Sequence, residues 1–488
     1  MRLFKTSNFL LVVLTFVFIL TNCKKEPLDI DGDNTSNPGR LSVDIGNSVI
    51  PYLVIDTKNT AINYEPKSAA VLEIHEKGTE IKKYNIGIEY RGKTSFRISD
   101  KKPYGIEIWD EAGNDIKASM LGFPEEADWI LNNHVVNLKE KYIWDRSLMY
   151  NYIGYELARS AGIYASRSKF VELQINKEYL GVYVFMERLK RDKNRIDIKS
   201  LNQTSTNITG GYIIKIDKMS SPPSAVGKPL SYFLTNWDDD ARYTSENSFR
   251  SRYDINGQLL TNTPFGPPYH ANLFKETYFN YEYPKPENIT AQQKSYIQNY
   301  VDQFETALAS DDVANGQRTY ANFIDINSFV DYFLLNELYR NVDAFRLSTF
   351  ITKDRDEKLK MGPIWDLNIG FDEGGRIPMN DWIVNYNKHV TSDAWMMPFW
   401  WNKLLKDPIF KNAVKNRWTS LRSKELSTST MHSLVDKTAQ YLKENGAVAR
   451  NYKKWDVGIG VNYDTSINNL KNFLRDRASW MDGVIGGF

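Results

Sequence analysis

The sequence predicts an α+β protein with a β-rich N-terminal half and a mainly helical C-terminal half. Residues 41–110 contain four strand-like runs separated by Asn, Gly and Ser. From residue 286 onward, apolar residues recur with the 3.6-residue period of helices. Residues 343–366 interrupt that helical part with two strand-like runs about a charged turn. We therefore divide the chain into a β-rich part, residues 41–217, and a helical part, residues 286–488, with an embedded hairpin.

The β-rich part is predicted from short runs of Val, Ile, Tyr and Phe. Its first four strands lie at 51–57, 69–76, 82–92 and 103–110. A helix over 145–162, ending at Gly162, and a strand pair over 169–187 follow them. The glycine pair of GGYIIKID precedes one more strand. Residues 218–285 lack periodicity and are rich in Pro, Ser, Asn and Tyr, which predicts a loop-rich insertion.

The helical part contains five segments with helical character, of which the last three are amphipathic. We predict helices at 288–310, 325–341, 397–423, 428–446 and 463–485, the second of them capped by Asp325 or Asn327.

Composition excludes several classes of protein. A chain of 488 residues with 42% hydrophobic residues can bury a large core. Lys and Arg number 62 against 60 Asp and Glu, so the net charge of +2 gives no basis for a nucleic-acid partner. The five His residues form no HExxH motif, and the chain has neither a G-x-S-x-G elbow nor a P-loop.

The first 22 residues predict a secretory signal peptide. Arg2 and Lys5 precede the apolar run FLLVVLTFVFIL, which is short for a membrane span. Cys23, the only cysteine, follows directly and resembles the acylated cysteine of a bacterial lipobox, although Asn22 stands where a small residue is usual. Residues 23–40 are polar and suit a flexible tether. We expect a lipid-anchored protein of the cell envelope, at the outer membrane, the periplasmic face or the cell surface.

Asp343 and Asp366 are placed symmetrically about the predicted hairpin. The midpoint between them falls at Arg355, so antiparallel pairing brings the two residues to the open end of the hairpin. Two carboxylates at one site can hold a divalent cation and accept a proton from a hydroxyl. The alternative is that each is a solvated turn residue or cap. Spacing alone leaves both interpretations open.

Six ordered segments together resemble the CotH (spore coat protein H) kinase family, with coverage from about residue 50 to residue 484. They lie at 90–108, 145–159, 170–198, 210–217, 337–350 and 361–371. The resemblance implies a two-lobed, atypical protein-kinase-like fold with a β-rich N-terminal lobe and a helical C-terminal lobe. It also implies binding of ATP with Mg²⁺ or Mn²⁺, and transfer of phosphate to Ser or Thr hydroxyls of a protein substrate.

The resemblance assigns roles to residues of this chain. Asp343 matches the catalytic aspartate, and Asp366 matches the metal-binding aspartate. Lys102 lies where the family places the lysine that contacts the nucleotide phosphates, with Lys101 as a one-residue alternative. Glu156 is the candidate to orient Lys102, and its alternative is a surface glutamate on an amphipathic helix.

Four further residues are candidates for binding the nucleotide. Arg91 and Gly92 open the turn RGKTS, where a glycine lets backbone amides approach phosphate, although ordinary hairpin turns look the same. Met186 and Glu187 stand where a kinase hinge meets adenine through backbone groups.

The chain departs from the kinase pattern at Ser348. Kinases place there an Asn that binds a second metal ion; Asn341 or Asn368 could substitute for it. An alternative function is therefore a catalytically weak, kinase-like scaffold lipoprotein that binds an envelope protein or a glycan.

Overall fold

The computed structural model describes residues 41–219, 223–233, 235–265, 275–371 and 375–488. It has a mixed α+β architecture, as the sequence predicts, with two main β-sheets and several helices. One sheet closes into a barrel, and the second shares a hydrophobic core with most of the helices.

The barrel is formed by strands between residues 52 and 187. The strands of this region are β1 (Tyr52–Asp56), β2 (Ser68–His75), β3 (Lys82–Tyr90), β4 (Tyr104–Trp109), β5 (Asp128–Asn132), β6 (Val136–Asn137), β7 (Tyr142–Ile143), β8 (Ser168–Ile175) and β9 (Glu178–Glu187). Seven of them pair in the order β1-β2-β3-β4-β5-β9-β8, while β6 and β7 form a separate pair. A parallel pair between β1 and β8 closes the barrel, and its other pairs are antiparallel.

Alternate side chains of the barrel strands form an apolar interior. On β3, Ile86 and Ile88 are fully buried and lie opposite Ile108 and Ile106 of β4. This alternation with period two is what the sequence pattern of the strands predicts. Closure leaves no unpaired edge along the barrel.

Two helices lie along this part of the chain. They are α1 (Thr94–Ile98), after β3, and α2 (Tyr150–Ser160), before β8. The predicted helix over 145–162 begins only at Tyr150, because Leu148 has a φ of +63°, outside the right-handed helical region; the Asp145 carboxylate accepts the backbone N–H of Tyr150 at 2.7 Å. Gly162, with φ of +80°, follows the helix end as predicted.

The second sheet is assembled from distant segments. Its strands are β10 (Tyr212–Ile216), β11 (Ser248–Arg250), β12 (Tyr278–Tyr283), β13 (Thr349–Lys353) and β14 (Leu359–Met361), in the order β11-β12-β10-β13-β14. The segment 218–285, predicted as loop-rich, thus supplies β11 and β12. The first four residues of β12 are all buried, so its sequence shows no alternation of apolar and polar residues.

The embedded hairpin is present, with a shifted turn. In the pairing of β13 with β14, Ile351 lies opposite Met361 and Lys353 lies opposite Leu359. The midpoint of these pairs is Asp356, whereas Arg355 was predicted. Both aspartates of the predicted pair lie beyond the paired residues, at the open end of the hairpin.

The remaining helices include those predicted at 288–310, 325–341, 428–446 and 463–485, whereas the segment predicted as one helix over 397–423 forms two helices with a break before Pro408, and three further helices were not predicted. In chain order, the helices are α3 (Leu230–Phe233), α4 (Ala291–Ser310), α5 (Ile326–Tyr339), α6 (Tyr386–His389), α7 (Trp400–Leu404), α8 (Pro408–Ser423), α9 (Thr428–Glu444), α10 (Ala447–Lys454) and α11 (Tyr463–Gly486). Asp325 caps α5 by accepting the N–H of Ser328 at 3.0 Å. Among the described residues, no helix combines the length and the apolar character needed to cross a bilayer.

Helix α10 packs against the barrel. Arg450 donates to the fully buried Glu172 carboxylate of β8 at 2.9 and 2.6 Å. The Asn451 side-chain oxygen accepts from Lys101 Nζ at 2.9 Å and from the Val182 N–H at 3.0 Å. The barrel is therefore bonded to a helix that lies near the end of the chain.

Candidate active site

Asp366 lies just beyond β14 in a strained backbone conformation. Its φ is +56°, in the left-handed region that residues other than glycine rarely adopt. Phe345 and Ser348, on the other arm of the hairpin, also have positive φ. Such residues persist only where surrounding contacts hold them, and they concentrate at functional sites.

Four charged side chains act electrostatically on the Asp366 carboxylate. The pKa of Asp366 is raised to about 6, mainly by burial and also by the negative charges of Asp343 and Asp217. Arg91 and Lys215 act in the opposite direction. The carboxylates of Asp343 and Asp366 thus lie close enough for their charges to interact, and the charges of Arg91 and Lys215 act on the same Asp366 carboxylate.

Asp343 follows the end of α5 and is fixed by a buried arginine. Arg346, with a side chain 3% exposed, donates to Asp343 Oδ1 at 2.6 Å. The same guanidinium donates to the carbonyls of Val342 and Trp395 at 2.9 and 2.8 Å. The Asp343 side chain itself is 29% exposed. It is thus both oriented and accessible.

Arg91 is the sequence-predicted nucleotide residue that the structure places beside Asp366. Its guanidinium lies 5.7 Å from the centre of the Trp365 ring. Burial lowers the pKa of Arg91 to about 10, and the charge of Asp366 works against that lowering. Gly92, the next residue, has φ of +75°, and a Cβ there would lie 2.6 Å from Ser95 Oγ, so the turn requires glycine.

Lys215 and Asp217 belong to the site and were not assigned from the sequence. Lys215 Nζ lies 2.5 Å from Asp217 Oδ2. Burial would raise the pKa of Asp217, but the charges of Lys215 and Lys93 outweigh burial and lower it. Both residues belong to the quoted segment GGYIIKID, where their spacing of two places them on one face of a strand. The spacing of Lys215 and Asp217 in this strand-like segment was the sequence pattern that could have identified them as a pair.

Lys93 is a further, partly buried cation of this region. Its ammonium donates to the carbonyl of Met219. Burial lowers its pKa to about 7, against the charges of Asp217 and Asp240. It lies in the RGKTS turn, beside the predicted Arg91 and Gly92.

Lys102 and Lys101 have other partners. Lys102 Nζ donates to the carbonyl of Phe96 at 2.7 Å, and burial lowers its pKa while Asp100 opposes the change. Lys101 is completely buried and donates to the Val182 carbonyl at 2.5 Å. The cations that act most strongly on Asp366 are Arg91 and Lys215. The phosphate contact of Lys102 stays a prediction from the family resemblance.

Glu156 forms an ion pair with Arg159 on its own helix α2. In the part of the chain that the structure describes, it forms none with Lys102. Its role in orienting Lys102 likewise stays a prediction.

Met186 and Glu187 end strand β9, which lies between β5 and β8. Met186 pairs with Ile130 on one side and Ser168 on the other. The Glu187 carboxylate is completely buried and accepts from the Arg167 guanidinium at 2.8 and 3.1 Å. Their backbone lies within two ladders of strand pairing, and an adenine contact there stays a prediction.

The residues near Asp366 fit a divalent cation that prefers oxygen ligands. Asn341 is buried, and its Nδ2 donates to Asn336 Oδ1 at 3.3 Å and to the Trp365 carbonyl at 3.4 Å. Its Oδ1 is buried and, among the residues that the structure describes, has no hydrogen-bond partner. An oxygen of this kind suits a cation or a water bound to it.

Within the described ranges, no group of three or more His, Cys, Asp or Glu side chains is placed to hold a metal ion. Mg²⁺ needs no such group, because proteins commonly bind it through one or two carboxylates together with substrate phosphates.

The sequence profile of the family described as CotH kinase protein matches residues 88–481. The chain belongs to the CotH kinase family. The match covers the hairpin, both aspartates, Arg91 and the segment with Lys215 and Asp217. Membership in the CotH kinase family supports a kinase-like function and, in general terms, the use of ATP with a divalent metal ion. Among curated proteins, none matches this chain significantly.

The predicted signal peptide, the tether and Cys23 precede residue 41 and lie outside the described residues.

Proposed function

We propose that this CotH kinase family member transfers phosphate from ATP to Ser or Thr hydroxyls of a protein, with Mg²⁺ or Mn²⁺. The observation that carries the proposal is that the charges of Asp343, Arg91 and Lys215 all act on the Asp366 carboxylate. Phosphoryl transfer requires acidic groups for the metal and the hydroxyl, and cations for the phosphate charge. The family match supports the same reaction class.

Asp366 is the residue suited to the divalent ion. Its carboxylate is disfavoured by burial and by two neighbouring aspartates, so a cation beside it would relieve that cost. Asn341 Oδ1 offers a second oxygen, either for the ion or for a water bound to it. A bound Mg²⁺ or Mn²⁺ would neutralise charge on the transferring phosphate.

Asp343 is suited to the acceptor hydroxyl. Arg346 holds its Oδ1, and among the described residues its Oδ2 has no hydrogen-bond partner. That oxygen can accept a hydrogen bond from a Ser or Thr hydroxyl and direct it toward the phosphate.

Arg91 and Lys215 are suited to the phosphates. Both lie within electrostatic reach of Asp366, so phosphate oxygens on a metal held there would meet them. Arg91 offers the planar donor fork that matches phosphate, and Lys215 offers a point charge.

We also propose that the barrel and the helical part correspond to the two lobes of a kinase, although this barrel is closed. With acylation at Cys23, the activity would reside on a lipid-anchored protein of the cell envelope.

The test uses the purified full chain and two substitutions that keep side-chain shape. ATP affinity is measured by calorimetry with Mn²⁺ and with EDTA, and phosphate transfer is measured from labelled ATP to a Ser/Thr-rich protein. Asp366→Asn should reduce the metal-dependent part of ATP affinity at least about tenfold, since it removes a charged ligand. Asp343→Asn should leave binding intact and slow transfer at least about a hundredfold.

Asp356→Asn is the matched control, because Asp356 is exposed in the turn at the opposite end of the same hairpin. It should bind and transfer as the wild type does. Equal metal-dependent binding by wild type and Asp366→Asn would refute the metal assignment. Metal-dependent ATP binding without any transfer would favour the alternative, a kinase-like scaffold.

A further inference from the structure

Helix α2 contacts the segment that follows the hairpin through two buried side chains one turn apart. Asn151 is 6% exposed and Tyr155 is 1% exposed. They lie four residues apart and therefore on the same face of the helix. That face meets residues 365–368, which contain Asp366.

Two consecutive backbone N–H groups of that segment donate to these side chains. The N–H of Asp366 donates to Tyr155 Oη at 3.2 Å, and the N–H of Leu367 donates to Asn151 Oδ1 at 2.9 Å. Backbone N–H groups can only donate, so both side-chain oxygens are fixed as acceptors. The Tyr155 hydroxyl, in turn, donates to Asn151 Oδ1 at 3.1 Å.

The third contact fixes the amide of the next residue. Asn151 Nδ2 donates to Asn368 Oδ1 at 2.8 Å. The Tyr155 ring also stacks on Trp365, with ring centres 6.4 Å apart. Residues 365–368 are thus each held from the same helix.

Close packing keeps the helix against this segment. A Cβ added at Gly154 would lie 2.0 Å from Leu367 Cδ1, so α2 approaches the segment as closely as a glycine permits. Tyr339 of α5 donates to the Gly154 carbonyl at 3.1 Å and ties α2 to the helix that precedes Asp343.

The backbone conformation of Asp366 needs such support. A left-handed φ at a residue other than glycine is unfavourable on its own. Bonds to its own N–H and to the N–H of the following residue are two contacts that help to hold this conformation.

We infer that Asn151 and Tyr155 are positioning residues that hold residues 366–368 so that the Asp366 carboxylate is presented to the metal ion of the nucleotide. This inference rests on the proposed function. Helix α2, from which the sequence predicted the contact of Glu156 with Lys102, would then act on the metal-binding aspartate through different residues of the helix.

The test separates positioning from general stability. ATP affinity of the full chain is measured with Mn²⁺ and with EDTA for the wild type, Tyr155→Phe and Asn151→Ala. Tyr155→Phe keeps the ring stack and removes one hydrogen-bonding hydroxyl, so the affinity for ATP with Mn²⁺ should fall about fivefold. Asn151→Ala removes three bonds and should reduce it at least about tenfold. Affinity in EDTA should remain as in the wild type.

Tyr152→Phe is the matched control on the same helix. Its ring packs on Phe170 at 4.6 Å, and in the described residues its hydroxyl makes no hydrogen bond. It should leave both affinities unchanged. Hydrogen exchange of a peptide covering 365–368 should accelerate in Tyr155→Phe and in Asn151→Ala, and not in the control.

The outcomes distinguish the two proposals. A wild-type chain that binds ATP no better with Mn²⁺ than with EDTA would overturn the proposed function and this role with it. A wild type with metal-dependent binding that Tyr155→Phe and Asn151→Ala retain in full would overturn the positioning role alone. If Tyr155→Phe and Asn151→Ala weaken ATP affinity equally with Mn²⁺ and with EDTA, the two residues have a merely structural role. That result would also overturn the positioning role.

Discussion

Replacing Asp366 by Asn should stabilise the metal-free protein while it removes the proposed metal ligand. The Asp366 carboxyl has a pKa of about 6 in the folded protein, against an ordinary value of 3.8. Burial is the main cause, followed by the charge of Asp343. The ionised carboxylate therefore opposes folding, and an amide of the same shape does not.

The size of the effect follows from the change in pKa. A rise from 3.8 to about 6 corresponds to about 3 kcal/mol, because each pKa unit is worth about 1.4 kcal/mol. The folded protein binds the proton more tightly than the unfolded chain does. The stability that the protonated carboxyl gives is thus fully present below pH 3.8 and is lost as the pH rises through about 6.

The assay is urea unfolding of the full chain in EDTA, followed by tryptophan fluorescence at pH 4 and at pH 7.5. The difference in free energy of unfolding between Asp366→Asn and the wild type should shift in favour of the variant by about 2 to 3 kcal/mol from pH 4 to pH 7.5. Asp356→Asn, at the exposed turn of the hairpin, controls for the loss of one aspartate. A gain at pH 7.5 no larger than at pH 4 would refute the reasoning.

Three further changes have definite expected outcomes. Arg346→Gln removes the donor to Asp343 Oδ1, so labelled-phosphate transfer should slow at least about tenfold while calorimetric ATP affinity is unchanged. Gly154→Ala forces a Cβ against Leu367 and should lower the free energy of unfolding in urea by about 1 to 3 kcal/mol. Glu172→Gln leaves Arg450 without its buried charge partner. It should lower the free energy of unfolding in urea by about 3 kcal/mol.

Local patterns in the sequence predicted the parts of the fold that depend on local interactions. The helix over 325–341 was predicted from its period and from a cap at Asp325 or Asn327, and the structure has this helix with the cap at Asp325. The hairpin was predicted from two β-rich runs, but its turn is centred at Asp356 because several charged residues in that stretch suit a turn equally well. The parallel pair of β1 and β8 has no local signal, since it joins segments over a hundred residues apart.

The site divides in the same way. Asp343 and Asp366 flank one hairpin, so local symmetry was enough to relate them. Lys215 reaches the site because β10 pairs with β13, a contact between distant segments that no spacing rule reveals. The contacts of Asn151 and Tyr155 with residues 366–368 likewise depend on how α2 packs on a loop about two hundred residues later.

The bond between Glu172 and Arg450 has a consequence for the order in which the chain folds. The two residues are 278 positions apart, and the Asn451 contacts with Lys101 and Val182 span 350 and 269 positions. During synthesis, the barrel strands emerge long before α10. Until α10 has been synthesised, the Glu172 carboxylate lacks its bonds to Arg450. A chain truncated before residue 447 would lack Arg450 and Asn451 altogether. We expect such a chain to be degraded by proteases.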